Sequence, residues 1–235
     1  EEMTIVLQNQ FWDLKINKNN FSVVLLFNKK KDYYSQSGQD QFAYNISGIN
    51  GIYLEIGAHH PIINSNTYKL EVECGWRGLS VEFDKSFQKS WEECTERAND
   101  VIWDDAFKVE FEYELKKRKI SKKKINYLSC DIEPPENTLK ILKKLIKLGL
   151  NFDFISFEHD KYNSGDKFEI LSNEFLISSG YKIAVKDVYS RLKKNKVYET
   201  WFVNEKLDYT EITYDLWKKE NYPMNSFKKK VYKSS

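Results

Sequence analysis

The stretch GIYLEIGAHHPIINSNTYKLE, residues 51–71, decides the fold. Its first seven residues are apolar and β-branched, so they read as a buried strand. The strand ends on Glu55, turns at Gly57, and runs at once into Ala58, His59, His60 and Pro61. Cap-type residues follow at 64–67, and a helical pattern continues to a glycine at 75. Strand, tight turn and helix together make the first half of a βαβ unit. A carboxylate at the end of a buried strand is expensive unless something polar meets it. The turn is therefore read as a place where a ligand is held.

Outward from that stretch the alternation continues. RGLSVEFD (77–84), DVIWDDAF (100–107), INYLSCDIE (125–133) and FDFISFEHD (152–160) read as strands. SFQKSWEECTERA (86–98), PENTLKILKKLIKLGL (135–150) and KFEILSNEFLISSGY (167–181) read as helices, the second opened by Pro135 and closed by Gly149. YKIAVKDVY (181–189) and KVYETWFVN (196–204) read as a hairpin that adds an antiparallel edge. Strands separated by helices of ten or more residues imply a mostly parallel sheet. Residues 1–37 do not fit the alternation and are expected to be an extension that covers one side of the site. The main domain is expected over 38–210, with a C-terminal helix and basic tail over 211–235.

With 235 residues and 41% hydrophobic content, the chain is long enough to bury a full core. The apolar run FSVVLLF (21–27) is too short for a membrane span, which takes roughly 18 residues or more, and reads as a strand or a buried helical turn. The expected organisation has no membrane span. Three cysteines (Cys74, Cys94, Cys130), odd in number and without CxxC spacing, point to a reducing compartment, with neither zinc nor disulfides. No secretory signal is read, and the expected location is cytoplasmic. The net charge of +2 hides two lysine runs, KKRKISKKK (116–124) and FKKKVYK (227–233). They read as solvated surface, with a patch for an anionic partner as the alternative.

In open α/β sheets, ligands bind outside the carboxyl ends of the strands where strand order reverses. Those ends carry Glu55, Gly57, Ala58, His59 and His60; then Glu82, Phe83 and Asp84; then Asp104, Asp105 and Ala106; then Asp131, Glu133 and Glu136; then Glu158, His159 and Asp160. All three histidines of the chain fall on this rim. GAHHPI lacks GxGxxG, which disfavours a nicotinamide or flavin enzyme. A carboxylate at 82 can accept from both hydroxyls of a ribose, and Asp105 is placed for an adenine amino group. The rim suits a ligand with adenosine but no pyrophosphate.

YSQSGQDQF (34–42), YLEIGAHHPIINSNTYKLE, GWRGLSVEFD (75–84), LSCDIEPPE (128–136) and FISFEHD (154–160), in this order, resemble the FkbM-type family of S-adenosylmethionine-dependent methyltransferases. The resemblance spans roughly residues 34–160. It implies a Rossmann-like class I methyltransferase fold: an α/β protein with a mostly parallel seven-stranded sheet, the last strand antiparallel and helices on both faces. It implies O-methylation of sugar-derived or polyketide hydroxyls. On this resemblance Glu55, Gly57 and Ala58 hold the methionine end and the sugar of the cofactor. Ser65, Asn66 and Thr67, at a helix N-terminus, meet the methionine carboxylate. Gln39 and Asp40 close the site from the N-terminal side, Glu82 and Phe83 meet the ribose side, and Asp105 and Ala106 meet the adenine. Asp131 follows the fourth strand beside the cofactor.

Two routes remain for the acceptor's proton. His159 serves as a general base, with Asp131 beside it and His60 facing the acceptor. Alternatively Asp131, Glu158 and His159 bind a divalent cation such as Mg or Mn, as in metal-dependent small-molecule O-methyltransferases. The leading expectation is an O-methyltransferase for a sugar or glycan-linked hydroxyl, as in polysaccharide or natural-product tailoring. The alternatives are a nucleic-acid methyltransferase, disfavoured by the acidic DIEPPE after the fourth strand, or a non-catalytic binding module of the same fold.

Overall fold

Near-continuous burial along the apolar runs makes strands covered on both sides, as parallel sheets require. The structure is a computed structural model that describes residues 2–7, 10–17, 22–26, 33–98, 100–190 and 196–221, the first three stretches as backbone alone. It divides into two compact units, residues 1–32 with 218–235, and residues 33–217. In the small unit β1 (Glu2–Leu7), β2 (Gln10–Asn17) and β3 (Ser22–Leu26) form an antiparallel meander. Of the expected extension 1–37, residues 33–37 belong to the large unit. The run 227–233 lies outside the described residues.

The large unit runs α1 (Gln39–Ser47), β4 (Ile52–Ile56), α2 (Tyr68–Cys74), β5 (Arg77–Glu82), α3 (Gln88–Glu93), β6 (Val101–Trp103), α4 (Phe111–Lys117), β7 (Ile125–Cys130), α5 (Pro135–Lys147), β8 (Phe152–Glu158), α6 (Lys161–Ser164), α7 (Lys167–Ser178), β9 (Tyr181–Tyr189), β10 (Val197–Asn204), β11 (Ile212–Thr213) and the start of α8 (Tyr214–Asn221). The sheet order is β11-β9-β10-β8-β7-β4-β5-β6. β4 pairs in parallel with both β5 and β7, so strand order reverses at β4, while β10 runs antiparallel between β8 and β9. The expected Rossmann-like sheet with an antiparallel last strand is present. One placement differs: β10 inserts into the interior and is not an edge, and the two-residue β11 adds an eighth strand beside β9.

Each face of the sheet has its own cover. Ile52, Leu54 and Ile56 of β4 join Leu79, Leu128, Phe152 and Ile155 in a core shared with α5. In α5 the buried Thr138, Ile141, Leu142 and Leu145 recur at helical spacing, and Pro135 opens the helix where no amide donor is needed. On the other face an aromatic cluster forms. Phe42 of α1 lies 4.7 Å from Phe154 and 4.9 Å from Trp201, and Trp217 lies 4.9 Å from Trp201.

Most expected elements lose a few residues at their ends, and three lose much more. The helix over 64–75 begins only at Tyr68, because Asn64–Thr67 form a turn. The helix over 86–98 ends at Glu93, beyond which Arg97 is drawn into the interior. The strand over 100–107 keeps three residues, because Asp104 and Asp105 cap the turn that follows.

Candidate functional site

The carboxyl ends of β4, β5, β6, β7 and β8, with one end of β10, surround a cavity of about 710 Å³. That volume falls within the roughly 300–1,000 Å³ of small-molecule sites. The opening turn is fixed by backbone chemistry. Gly57 has φ 86°, and a Cβ there would come within 1.7 Å of the Asp131 carbonyl oxygen, so no other residue fits. The His59 amide donates to Glu82 Oε2 (2.7 Å) and the Asp84 amide to Glu82 Oε1 (2.7 Å). Glu82 thus locks the two strand-end turns together, and each oxygen keeps a second lone pair.

Below the turn a polar row crosses the sheet. Register places Ser80 and Ser129 on either side of Glu55, and Ser156 beside Ser129. Glu55 Oε2 accepts from Ser80 Oγ (2.8 Å) and Thr67 Oγ1 (2.9 Å). Arg97, stacked 4.2 Å over Trp91, donates to Glu71, Pro61, Ser65, Tyr53 and Thr67. Burial pushes the Glu55 carboxyl up, and the Arg97 charge opposes that rise. Arg97 shapes the loop 61–67 that walls the methionine end of the expected site. Its signal in the sequence was a lone arginine after a helix of exposed acids, which gives no hint of burial.

Gln39, Glu55, Gly57, Ala58, Asn66, Glu82, Phe83, Asp105, Ala106, Asp131 and Glu158 all line the cavity as expected. Asn66 donates to Ser129 Oγ (2.9 Å), while its buried Oδ1 has no partner. Phe83 is 75% exposed and presents a ring at the Asp105 end.

Other expectations are corrected. The Asp40 carboxylate turns away into its own loop, where it accepts from the Tyr34 amide (2.7 Å) and Ser35 Oγ (2.5 Å). Ser65 caps the turn by accepting from the Tyr68 amide (3.1 Å), and Thr67 is buried in the Glu55–Arg97 support; neither lines the cavity. His60 Nδ1 accepts from the amides of Ile62 and Ile63, both at 3.1 Å, which orients its ring along the loop and out of the cavity. His59, with its ring 4.0 Å from that of Phe87, is the histidine that lines the site.

His159 is fully buried outside the lining. Its Nδ1 accepts from the Lys161 amide (3.2 Å), so in the neutral ring Nε2 carries the proton toward Thr200 Oγ1 (3.1 Å). Burial pulls its pKa down to about 4. His159 is thus a neutral brace between β8 and β10, neither a base in the cavity nor a metal ligand. Among the described residues no three His, Cys, Asp or Glu side chains group so as to hold a metal ion. That removes the expected set of Asp131, Glu158 and His159.

The place expected for His159 is taken by carboxylates. Burial raises both Asp131 and Glu158, which hydrogen-bond each other, and the Asp131 charge adds to the rise of Glu158. Glu199 of β10 also lines the cavity, and sequence reading missed it. Its Oε2 accepts from Gln39 Nε2 (2.8 Å) and Trp201 Nε1 (2.8 Å), and burial pushes its pKa up to about 8. The sequence signal was an acid inside an otherwise apolar strand, YETWFV.

No protein-family model matches the chain, and no curated protein matches it by sequence. Solved structures do resemble it. A protein from Clostridium thermocellum whose name assigns it as an rRNA methylase has a TM-score of 0.50 at 13% identity, over 73% of this chain and 96% of its own. The Methanococcus jannaschii fibrillarin pre-rRNA processing protein has a TM-score of 0.48 at 15% identity, over 87% and 98%. Aeropyrum pernix fibrillarin, solved with natively bound S-adenosyl-L-methionine, has 0.46 at 13%, over 86% and 99%. The fold is the Rossmann-like fold of S-adenosylmethionine-dependent methyltransferases.

Proposed function

We propose that the chain is an S-adenosylmethionine-dependent methyltransferase that methylates a hydroxyl of a sugar-like acceptor. The observation that carries this reading is the cavity at the β4 reversal, into which Gly57, Glu82 and Asp105 open in succession. The residues present fit the cofactor. Glu82, pinned by two amides, has lone pairs left for ribose hydroxyls. Phe83 offers a ring face to adenine next to Asp105 and Ala106. The orphaned Oδ1 of Asn66 would accept from the methionine ammonium. The hydroxyl assignment rests on the resemblance of residues 34–160 to the FkbM-type family.

S-adenosylmethionine supplies a methyl carbon on a sulfonium whose sulfur leaves as a neutral thioether. Methyl transfer from it would go to the acceptor oxygen, and the chain's own part would be to take the acceptor's hydroxyl proton on a carboxylate. Glu199 is the residue for this, because its pKa lies near working pH and Gln39 fixes the position of its carboxylate. The enclosing turns orient the acceptor, and positioning supplies much of such a rate gain, about 7–11 kcal/mol at best.

The names of the neighbours raise a nucleic-acid acceptor as a second reading. It is less well supported, because acids line the cavity and the 116–124 run sits at the amino end of β7, opposite the cavity.

Titration with S-adenosylhomocysteine tests the reading and separates it from a non-catalytic module that binds no cofactor. Glu82→Ala is expected to weaken binding about 10–150-fold, the equivalent of about 1.5–3 kcal/mol for hydrogen bonds to a charged group. Glu199→Gln is expected to keep that affinity and lose about 10²–10⁴ in turnover. Wild-type affinity in the Glu82 variant would remove that residue from the site.

A further inference from the structure

The acceptor end of the cavity carries more negative charge than the proposed cofactor balances. Carboxylates line the cavity from end to end, and among the described residues no lysine or arginine does. At the cofactor end they are engaged: Glu82 by two amides, and Glu55 by two hydroxyls with Arg97 behind. At the other end Asp131, Glu133 and Glu158 make no ion pair among the described residues. Asp160 stands behind them, 3% exposed and held in the left-handed region at φ 51°. Its charge acts on all three, yet its buried Oδ1 has no hydrogen-bond partner. Its side chain also hydrogen-bonds Glu133, and an unpartnered buried carboxylate oxygen is costly unless a donor arrives from outside.

S-adenosylmethionine does not resolve this. Its ammonium and carboxylate cancel, and one sulfonium charge remains, which Asp131 beside Gly57 is placed to meet. Glu133 and Asp160 are left over, with Glu158 hydrogen-bonded to Asp131. A neutral sugar would leave them unbalanced, and a phosphorylated or nucleic-acid acceptor would be repelled.

We propose that the acceptor bears a protonated amine, and that its ammonium is held between Glu133 and Glu158 with Asp160 behind. This deepens the methyltransferase reading and rests on it: with a hydroxyl as the reacting group, the substrate class is an amino sugar or a similar small amino alcohol. An ammonium has three donors, enough for carboxylate oxygens of both Glu133 and Glu158, which line the cavity.

The test uses the full chain saturated with S-adenosylhomocysteine and titrated with glucosamine and with N-acetylglucosamine, which has the same ring without the charge. Glucosamine is expected to bind at least tenfold more tightly, and to lose that preference in Glu133→Gln and in Glu133→Lys. Glu133 is exposed, so these variants keep the fold, and an S-adenosylhomocysteine affinity within threefold of wild type confirms it. Glu158→Gln is expected to reduce the preference further. Equal binding of the two sugars, binding of neither, or a preference unchanged by the Glu133 variants overturns the amine proposal. Failure of S-adenosylhomocysteine to bind in the first step overturns the methyltransferase reading instead, so the two failures are distinct.

Discussion

His159 shows how one residue changes role with its surroundings. On the sequence it is a histidine at a strand end, beside acids, and reads as a base. In the fold its two ring nitrogens are taken by the Lys161 amide and Thr200, and burial holds its pKa at about 4. The consequence is a stability effect whose sign is fixed. An unfolded histidine titrates near 6.5, so between pH 6.5 and 4 the unfolded chain binds more protons, and this group's contribution to stability falls as pH falls. His159→Gln is expected to cost about 1–3 kcal/mol at pH 7.5 in urea unfolding. That cost should shrink as pH is lowered from 6.5 toward 4, with turnover per folded molecule within about threefold of wild type. A turnover loss of 10² or more would return His159 to the reaction.

At the scale of elements, the loop 61–67 and the strand β4 are joined through Arg97. Its guanidinium bonds to Glu71, Tyr53 and Thr67 at once, more partners than a lysine could reach in that geometry, and Glu55 lies 3.9 Å away. Removing one partner of a buried charge cluster leaves the others uncompensated, which typically costs about 3–5 kcal/mol. Arg97→Met is therefore expected to destabilise by that amount in thermal or urea unfolding. It is also expected to weaken S-adenosylhomocysteine binding, because the loop that carries Asn66 loses its tie. An equally stable Arg97→Met protein would show that the network is dispensable.

For the whole molecule, the direction of the parallel strands separates two kinds of charge. The acids gather at the carboxyl ends, where the cavity opens. The lysines of 116–124 flank the amino end of β7. A joint Lys116→Gln, Lys117→Gln and Lys123→Gln variant is expected to keep turnover within about twofold. In a filter assay the protein is expected to show no duplex or single-strand binding that falls steeply with salt; a slope near −0.7 to −0.9 per phosphate contact would place nucleic acid among its ligands.

The reversal of strand order at β4 came from the fold, but the sequence by itself determined the alternation of strands and helices, and with it the mostly parallel sheet and the rim on which the site is built. Those follow from local periodicity and from glycine and proline punctuation, which act over a few residues. It also marked Gly57, Glu82, Asp105 and Asp131, because an acid or glycine at a strand end has few other reasons to be there. Only the tertiary structure decided which side chains face the cavity. Glu55, Ser80, Ser129 and Ser156 are isolated polar residues in four separate strands until register sets them side by side. Glu199 enters the site because β10 inserts beside β8, and Arg97 because the chain after α3 folds inward. Asp40, His60 and His159 leave it because nearby backbone amides or hydroxyls satisfy them first. Which neighbour reaches a polar atom depends on contacts far apart in the chain, and no local pattern encodes that.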